Sequence, residues 1–587
     1  MAGIVLLTYA LIAWTIPRGF DWTDEAFVQS MTASNRIAVD EPWGFQHLLH
    51  PLYVLTGESV LVFRILRLLG YVLLSVALVT AARSVMRRIG VVIPRSGWVF
   101  VILVAQVGTF MAWAYPPRYL SYNELGSWLA QLGVALALLS LAHGLSPGDP
   151  RTRRGLWAIW VALGAVTTLL VFAKATSGVA LGALVAVMLV AANPNLRFWK
   201  RLVASVAGTA ATFVVVWAVG FPIGTYLSNL RMVVSDPSAQ AAFGHPITQI
   251  LHGHLDSVLA TGAAVLVLLV IFVLAAATLV RSTTPVADAP TTTRTNRLAW
   301  ILGLFVAFAL VALPRDDTWG YLADLIAFIG MAALLGLTIL GREGLGVQAR
   351  KASPTAVVIG ALAIAAAPFI SSVGTTNRIT GQFIFSATLW AVVFGVALAL
   401  LGKRATILGS GAHHVPTLLA LVVVFLSAWA VKTDIGSPYR TDPLLSQTTP
   451  TSAPELRGVL VTAPEAAWAD WVSTAGDDLG ADGVPAVALN SPGALYLFNH
   501  SGYATPWISG SIPIAFELVR VACATDPPSD LFVLQPGTAP LDSLATVSLA
   551  ESFATCGIDF PGDFRVVDRY PSSDPRHQMT IWRLSSR

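Results

Sequence analysis

The sequence is poor in charged residues, and this excludes most soluble folds. Only 12% of its 587 residues are Asp, Glu, Lys or Arg, whereas a soluble domain usually carries about 25%. Hydrophobic residues make up 55% of the chain, and a soluble protein of this composition would expose large apolar patches. The lipid bilayer is therefore the solvent that the composition favours.

Lysine and cysteine are also scarce. The chain has five lysines against 31 arginines, and its basic residues lie in short segments between apolar runs rather than in one patch. This distribution excludes a nucleic-acid partner despite the net charge of +4. The two cysteines, Cys523 and Cys556, both lie near the C-terminus. They indicate either a disulfide in an oxidising compartment or two separate buried thiols.

Apolar runs recur along the first three quarters of the chain. A spanning helix needs roughly 20 apolar residues, and about thirteen runs approach that length. They lie near residues 3–17, 61–82, 97–114, 125–143, 156–173, 177–193, 202–221, 256–280, 298–313, 321–340, 354–373, 380–401 and 415–431. Residues 1–431 are therefore predicted to form a polytopic bundle of transmembrane helices.

Basic residues predict the orientation of this bundle. They cluster in alternate loops, as in residues 83–95, 151–154 and 197–201. Short loops rich in Lys and Arg stay in the cytoplasm. Thirteen spans from a cytoplasmic N-terminus place the C-terminus on the extracytoplasmic side of what we predict to be a bacterial cell membrane.

Residues 432–587 differ in character from the membrane region. Short apolar strands near 458–461, 486–489 and 531–534 alternate with helical stretches at 465–473 and 514–521. This pattern predicts a small extracytoplasmic α/β domain. The domain has no glycine-rich nucleotide motif, so a binding role, a lid role and a purely structural cap all stay open.

Three carboxylates follow the first predicted helix at the membrane surface: Asp21, Asp24 and Glu25. Aromatic residues flank them, among them Phe20 and Trp22. Carboxylates next to hydrocarbon are costly unless they are solvated, paired or functional. The segment therefore indicates either a functional site or a solvated acidic loop within an aromatic belt.

Isolated cations lie in the loops that are predicted to be external, namely Arg118, Lys174 and Arg378. Each opposes the positive-inside trend, which favours an anionic partner. A phosphate at the outer membrane surface would be stabilised by charge-assisted hydrogen bonds from all three. The alternative for any one of them is snorkelling to lipid headgroups.

The pair Asp24-Glu25 resembles the Asp-Glu signature of the GT-C superfamily of membrane glycosyltransferases, and within it the protein O-mannosyltransferase and aminoarabinose-transferase group. Residues 19–27 are similar to bacterial members that read G-F-D-x-T-D-E-x-F/Y. The loop at 121–123, the Lys174 turn and the turn at 374–377 also resemble recurrent features of that group. A bundle of about thirteen spans with a C-terminal extracytoplasmic domain resembles a common GT-C layout.

The resemblance implies a reaction and roles for particular residues. Sugars are carried on a polyprenyl phosphate in the outer leaflet, and a carboxylate deprotonates the acceptor hydroxyl. Asp24 is the predicted base, Glu25 orients it or contacts the acceptor, and Asp21 is a second candidate. The leaving phosphate needs a cation. Lys174 or Arg378 is preferred over Arg118 for this role. Arg64 and Arg67, near the start of helix two, are further candidates to reach the phosphate. The residues expected to contact substrate are Asp21, Tyr122, Asn123 and Asn377.

Metal ligands are not specified by any pattern of high specificity. The histidines His252 and His254 with Asp256 are too loosely spaced to define a site. If a divalent ion is used, Asp316 and Asp317 are the better ligands. No other cofactor is predicted.

The sequence thus predicts a membrane glycosyltransferase that moves a hexosyl or pentosyl group from a polyprenyl-phosphate donor to an envelope glycan, glycolipid or protein. The rival interpretation is a transporter or flippase of an envelope lipid or glycolipid. A transporter needs charged or broken helices at the bilayer midplane. The predicted spans are almost free of charge at their centres, which favours surface chemistry.

Overall fold

The computed structural model describes residues 1–35, 44–114, 118–144, 150–191, 197–235, 252, 354–374, 383–407, 414–500, 502–509 and 513–585. The helices of the membrane region are α1 (Ala2–Thr15), α2 (Asp24–Ser34), α3 (Phe45–Leu55), α4 (Val60–Arg88), α5 (Arg95–Ala114), α6 (Tyr122–Gly144), α7 (Pro150–Ala173), α8 (Ala175–Ala191), α9 (Phe198–Ala218), α10 (Ile223–Ser235), α11 (Pro354–Ser372), α12 (Ala387–Ile407) and α13 (Val415–Gly436).

The described residues contain seven helices that are long and apolar enough to cross a membrane, namely α4 to α7, α9, α12 with the turn before it, and α13. The helices α1 and α8 and the described part of α11 are apolar but shorter. Each predicted run that falls within the described residues lies on one of these helices, so a multi-pass, mainly helical membrane protein is confirmed. The predicted runs near 256–280, 298–313 and 321–340 lie outside the described residues.

Glycines allow the closest helix contacts in the bundle. A Cβ added at Gly164 on α7 would lie 2.0 Å from the main-chain oxygen of Ser205 on α9, and one added at Gly208 would lie 1.9 Å from that of Val161. Small residues permit this approach because lipid tails provide no hydrophobic force between helices, which leaves close packing to hold them. The α7–α9 contact is therefore specified by residues that lack a side chain.

The described residues between α1 and α4 include two helices, which the search for apolar runs did not predict. It contains α2 and α3, each of 11 residues, and such helices are too short to span a bilayer. Asp24 and Glu25 form the first turn of α2, where the helix dipole stabilises negative charge. The first loop is thus a folded cap on one end of the bundle.

The C-terminal region is a small α/β unit, as predicted. Its strands are β1 (Thr449–Pro450), β2 (Leu460–Val461), β3 (Ala486–Ala488), β4 (Phe532–Pro536), β5 (Phe564–Tyr570) and β6 (Met579–Leu584). Its helices are α14 (Ala463–Asp478), α15 (Pro492–Phe498), α16 (Pro513–Thr525) and α17 (Leu544–Ala554). One sheet has the order β3-β4-β6-β5, with β3 and β4 parallel and the other pairs antiparallel, and β1 pairs with β2 separately.

The two cysteines are joined in this unit. Cys523 on α16 and Cys556 just after α17 form a disulfide, with their Cα atoms 5.5 Å apart. Of the two readings that the sequence left open, the disulfide is the one present.

The first loop and the C-terminal unit lie on the same side of the bundle. Phe20, Ala26 and Val60 are buried in the same hydrophobic cluster as the side chains of α14, α15 and the sheet. The contact also joins main chains, because Gly19 N–H donates to the oxygen of Leu460 at 2.8 Å. The side of the membrane that both occupy stays a prediction from the basic loops.

Candidate functional site

The candidate site begins at a sharp turn after α1. Gly19 has a φ of +73°, which a residue without a Cβ adopts readily. A Cβ at this position would also lie 3.1 Å from a methyl carbon of Leu444. The turn directs residues 20–25 across the end of the bundle, so that three carboxylates lie beside cations from α4, from the segment before α6 and from the segment after α13.

Glu25 forms a buried bidentate ion pair with Arg64. Arg64 Nε donates to Glu25 Oε1, and Arg64 Nη2 donates to Oε2, each at 2.8 Å. The same guanidinium donates to the main-chain oxygens of Ile16 and Gly19 at 2.7 Å, and Glu25 Oε2 accepts the N–H of Asp21 at 3.2 Å. Because Glu25 is only 1% exposed, it is placed to hold the turn rather than to meet an acceptor.

Asp21 is buried, at 5% exposure, and only one of its two carboxylate oxygens accepts hydrogen bonds from the described residues. Its Oδ1 accepts hydrogen bonds from Thr23 N at 2.9 Å and Thr23 Oγ1 at 2.6 Å. Its Oδ2 is buried and accepts none from the described part of the chain. Burial first, and then the charge of Asp24, raise the pKa of Asp21 to about 7. This carboxyl therefore changes its charge near neutral pH.

Asp24 lies on the partly exposed edge of this turn, its rim, and is held from a different part of the chain. Arg440 Nη1 lies 3.3 Å from Asp24 Oδ2 and donates to Thr23 Oγ1 at 2.9 Å, and the Tyr439 hydroxyl also bonds Asp24. Burial raises the pKa of Asp24 above its ordinary value, while Arg440 and Tyr439 offset part of the rise. The Asp24 side chain is 32% exposed, so a substrate group can reach it.

A cavity opens between these residues at the ends of α1 and α13 and the start of α4. It is a small cleft, in which the space open to the centre of a water molecule is about 20 Å³. The charged and phenolic side chains in its lining are Asp21, Glu25, Arg64, Arg118, Asp434 and Tyr439.

Arg118 reaches this cavity as an ion pair. Its Nη2 donates to Asp434 Oδ2, and its Nη1 donates to the main-chain oxygen of Arg18 at 3.1 Å. Both members of the pair have little exposure, at 10% and 5% of their side chains. The structure thus brings Arg118 near Asp21, but with its charge already balanced by Asp434.

Lys174 lies elsewhere, in the turn between α7 and α8. Its side chain is almost fully buried, at 3% exposure, and Nζ donates to the main-chain oxygen of Ser371 at 2.9 Å. Within the described ranges no carboxylate pairs with it. Lys174 is not among the residues that line the carboxylate cavity, and neither is Asp24. That Asp24 and Lys174 act in a single site stays a prediction.

The loop at 121–123 caps α6. The Ser121 N–H donates to Glu124 Oε2 at 3.0 Å, and the Asn123 N–H donates to Ser121 Oγ at 3.1 Å. The Tyr122 ring centroid lies 5.7 Å from Lys174 Nζ. Tyr122 therefore belongs with the Lys174 turn rather than with the carboxylate cavity.

Buried Arg67 is also paired with a carboxylate. Its Nε lies 2.8 Å from Glu124 Oε1, and its Nη2 donates to the main-chain oxygen of Ala112 at 2.8 Å. This pair ties α4 to α5 and α6. Of the two α4 arginines that sequence placed near the site, only Arg64 lines the cavity.

Several predicted site residues lie outside the described residues: Asn377, Arg378, Asp316 and Asp317. Within the described residues no group of three His, Cys, Asp or Glu side chains is arranged to hold a metal ion. Roles for these residues stay predictions.

Three residues of the site were not identified from sequence: Asp434, Tyr439 and Arg440. They follow or end the last apolar run, and their short polar segment was assigned to the C-terminal domain. The signal that could have found them is Asp434 itself, because a carboxylate within the last turn of a spanning helix needs a partner. Nothing in the local pattern names Arg118 as that partner.

Comparisons with known proteins add little to this geometry. No protein-family model and no curated protein matches the sequence. Among solved structures, the crystal structure of ArnT from Cupriavidus metallidurans in the apo state matches over 99% of this chain and 98% of its own, with 14% sequence identity and a TM-score of 0.37. A similarity this low carries no argument about function, which is inferred below from the side chains.

Proposed function

We propose that this chain is a glycosyltransferase that moves a sugar from a polyprenyl-phosphate donor to a hydroxyl of a cell-envelope acceptor. The observation that carries the proposal is the open cavity at one end of the bundle, with Asp21 in its wall and the partly exposed Asp24 bonded to Tyr439, which also lines the cavity. Carboxylates outnumber guanidinium groups in its lining, since Asp21, Glu25 and Asp434 face Arg64 and Arg118. A site with spare carboxylate suits removal of a proton.

Asp24 is the proposed base. As the acceptor oxygen attacks the anomeric carbon, its O–H proton passes to Asp24, the new glycosidic C–O bond forms, and the bond from the anomeric carbon to the phosphate oxygen breaks. A raised pKa makes a carboxylate a better base, and burial raises the pKa of Asp24. Tyr439 and Arg440 fix the side chain by hydrogen bonds without covering it fully.

Asp21 is the proposed electrostatic partner of Asp24. Its pKa of about 7 means that it is neutral below that pH and negative above it. A negative charge beside Asp24 strengthens Asp24 as a base, so the pair is most active when Asp21 is ionised. Glu25 with Arg64 holds the turn on which both carboxylates stand.

Lys174 is the proposed donor-phosphate residue. A buried cation without a carboxylate is costly unless an anion comes to it. Lys174 Nζ makes one hydrogen bond within the described residues, and an ammonium group has three donors. The leaving phosphate gains negative charge as the bond breaks, and a fixed cation stabilises it. Tyr122, beside Lys174, is proposed to contact the donor there.

The basic loops support an extracytoplasmic location for this chemistry. The acceptor is then a glycan, glycolipid or protein of the envelope. It would enter at the rim, where the side chain of Arg440 is 45% exposed.

The direct test is a panel of radiolabelled polyprenyl-phosphate sugars with the purified protein in lipid, read for transfer and for released polyprenyl phosphate. We expect one donor class to be consumed by the wild type and not by Asp24→Asn. The matched control is Asp542→Asn, an exposed carboxylate of the C-terminal unit. A folded wild type that consumes no donor, with extracts of the native envelope as acceptor, would contradict the proposal.

A further inference from the structure

The exit from α1 is paired with the C-terminal unit before the carboxylates begin. Leu460 N–H donates to the oxygen of Pro17 at 2.6 Å, and Gly19 N–H donates to the oxygen of Leu460 at 2.8 Å. Arg18 is thereby bridged in parallel to β2. These main-chain hydrogen bonds on both sides of Arg18 fix the position at which the loop leaves α1.

Trp22, which follows Asp21 in the chain, is bound by the same C-terminal unit. Its Nε1 donates to Glu465 Oε1 at 3.0 Å, and its main-chain oxygen accepts the N–H of Gly493 at 2.9 Å. Its ring lies edge-on to Trp468 with centroids 5.0 Å apart. The other oxygen of Glu465 accepts from Thr462 and completes the capping box of α14. One carboxylate therefore both caps α14 and holds Trp22.

The residues around Trp22 are closely packed. A Cβ at Gly493 would lie 2.9 Å from both the ring and the main-chain oxygen of Trp22. Phe20 is 1% exposed, packs against Trp22 at 4.9 Å and stacks on Tyr496 at 6.0 Å. Asp21 thus stands between two aromatic residues that belong to the core of the C-terminal unit.

Displacement of Trp22 would pass directly to the carboxylates. Asp21 is its neighbour in the chain and is hydrogen-bonded to Thr23 by its side chain and to the Ala26 N–H by its main-chain oxygen. These bonds make residues 21–26 one rigid turn. The main-chain bond to Gly493 and the indole bond to Glu465 attach that turn to the C-terminal unit, in addition to the contacts of Arg440 with Thr23 and Asp24.

We infer that Trp22 is a positioning residue through which the C-terminal unit sets the placement of Asp21 and Asp24, so that this unit forms part of the catalytic structure. The inference rests on the proposed function. It goes beyond it by giving the C-terminal unit a task in the chemical step, separate from any binding of acceptor.

The test uses the full-length protein in lipid and the substitution Trp22→Phe, which removes the indole N–H donor and keeps an aromatic ring. We expect kcat to fall roughly 10-fold, with KM for the donor within about twofold, because a misplaced catalytic group weakens the transition state more than the ground state. The matched control is Trp471→Phe on the same helix as Glu465, where the ring packs on Tyr570 at 5.2 Å. It should leave kcat unchanged.

A second variant separates positioning from a general loss of packing. Glu465→Ala removes the acceptor of the indole N–H, and it should lower kcat in the same way. Because both changes break one hydrogen bond, the double variant should lose little more than either single variant. A wild-type kcat in Trp22→Phe, an equal loss in Trp471→Phe, or fully multiplicative losses in the double variant would each overturn the inference.

An infrared titration of the carboxyl C=O band needs no substrate and keeps this inference distinct from the proposed function. The band of Asp21 is identified by its absence in Asp21→Asn. We expect its midpoint in Trp22→Phe to move by about half a pH unit or more, since pKa depends on burial and on the distance to Asp24. No shift would overturn the inference. A shift in a protein that transfers no sugar would uphold the positioning and reject the proposed reaction.

Discussion

Two charged regions of the described structure treat their cations in opposite ways. In the first-loop cavity, Arg64 is paired with Glu25 and Arg118 with Asp434, and beside the cavity Arg440 is paired with Asp24. In the turn between α7 and α8, Lys174 is buried and donates to a carbonyl, with no carboxylate partner among the described residues. A cation that is already paired binds an incoming phosphate weakly, because the neighbouring carboxylate neutralises its charge. The cavity is therefore suited to moving a proton and the turn to holding an anion.

The largest expected effect tests the cavity half of that comparison. Asp24→Asn keeps the shape of the side chain and removes its capacity to take a proton. We expect transfer to fall by about 10²- to 10⁴-fold, the usual contribution of a general base, with the protein still folded and inserted. Measured rates in lipid with the active donor check this. Full activity in Asp24→Asn would remove the base from this position, and a large loss in Asp21→Asn instead would move it to Asp21.

The next effect concerns stability rather than rate. Glu25→Gln leaves Arg64 buried without its counter-charge, and breaking a buried ion pair costs about 3–5 kcal/mol. We expect a clear drop in the thermal midpoint of the protein in lipid. The matched control is Glu517→Gln, which breaks the exposed pair with Arg520 and should change stability by about 1 kcal/mol or less. Equal midpoints for the two variants would show that the Glu25 pair does not hold the turn.

A smaller effect tests the anion half. Lys174→Met retains the length of the side chain and removes its charge. We expect donor binding to weaken and kcat to fall by roughly 10²-fold, the loss typical of one group that stabilises developing negative charge. Lys432→Met, at an exposed lysine beside Trp429, is the control and should behave as wild type. Unchanged donor affinity and rate in Lys174→Met would show that the Lys174 turn does not bind the donor phosphate, and the two regions would then not differ in function.

The smallest expected effect is a change in pH dependence. Asp21 is neutral below a pH of about 7 and negative above it, because burial and the Asp24 charge raise its pKa. Since the negative form strengthens Asp24, wild-type transfer should rise as pH increases through about 7. The rise should be absent in Asp21→Asn, which has no group to ionise there. A limb of equal position and height in both proteins would assign it to another residue.

Parts of the site followed from sequence because their signal is local. Three carboxylates in five residues after an apolar helix are visible without a structure, and so are cations in loops that break the positive-inside trend. The cavity does contain Asp21 and Arg118, as that pattern predicted. The grouping of Lys174 with them stays a prediction, because it rests on the sign of its charge and on the predicted side of its loop, and sign alone contains no information on distance.

The helices of the first loop show a second limit. α2 and α3 have 11 residues each, and a search for runs of about 20 apolar residues passes over them. The strands β5 and β6 were also missed, since β5 buries only its first residue and so offers no apolar run. Short elements are stabilised by what they pack against, and that partner is not encoded in the segment itself.

The sequence by itself determined the solvent, the multi-pass helical architecture and the α/β character of the C-terminal unit. Each follows from composition or periodicity, which are properties of neighbouring residues. Only the tertiary structure decided which charges neutralise one another. The Arg118–Asp434 pair joins residues 316 positions apart, and the Trp22–Glu465 bond joins residues 443 apart. Such pairs are selected by the folded geometry, because burial makes an unpartnered charge costly wherever along the chain its partner happens to lie.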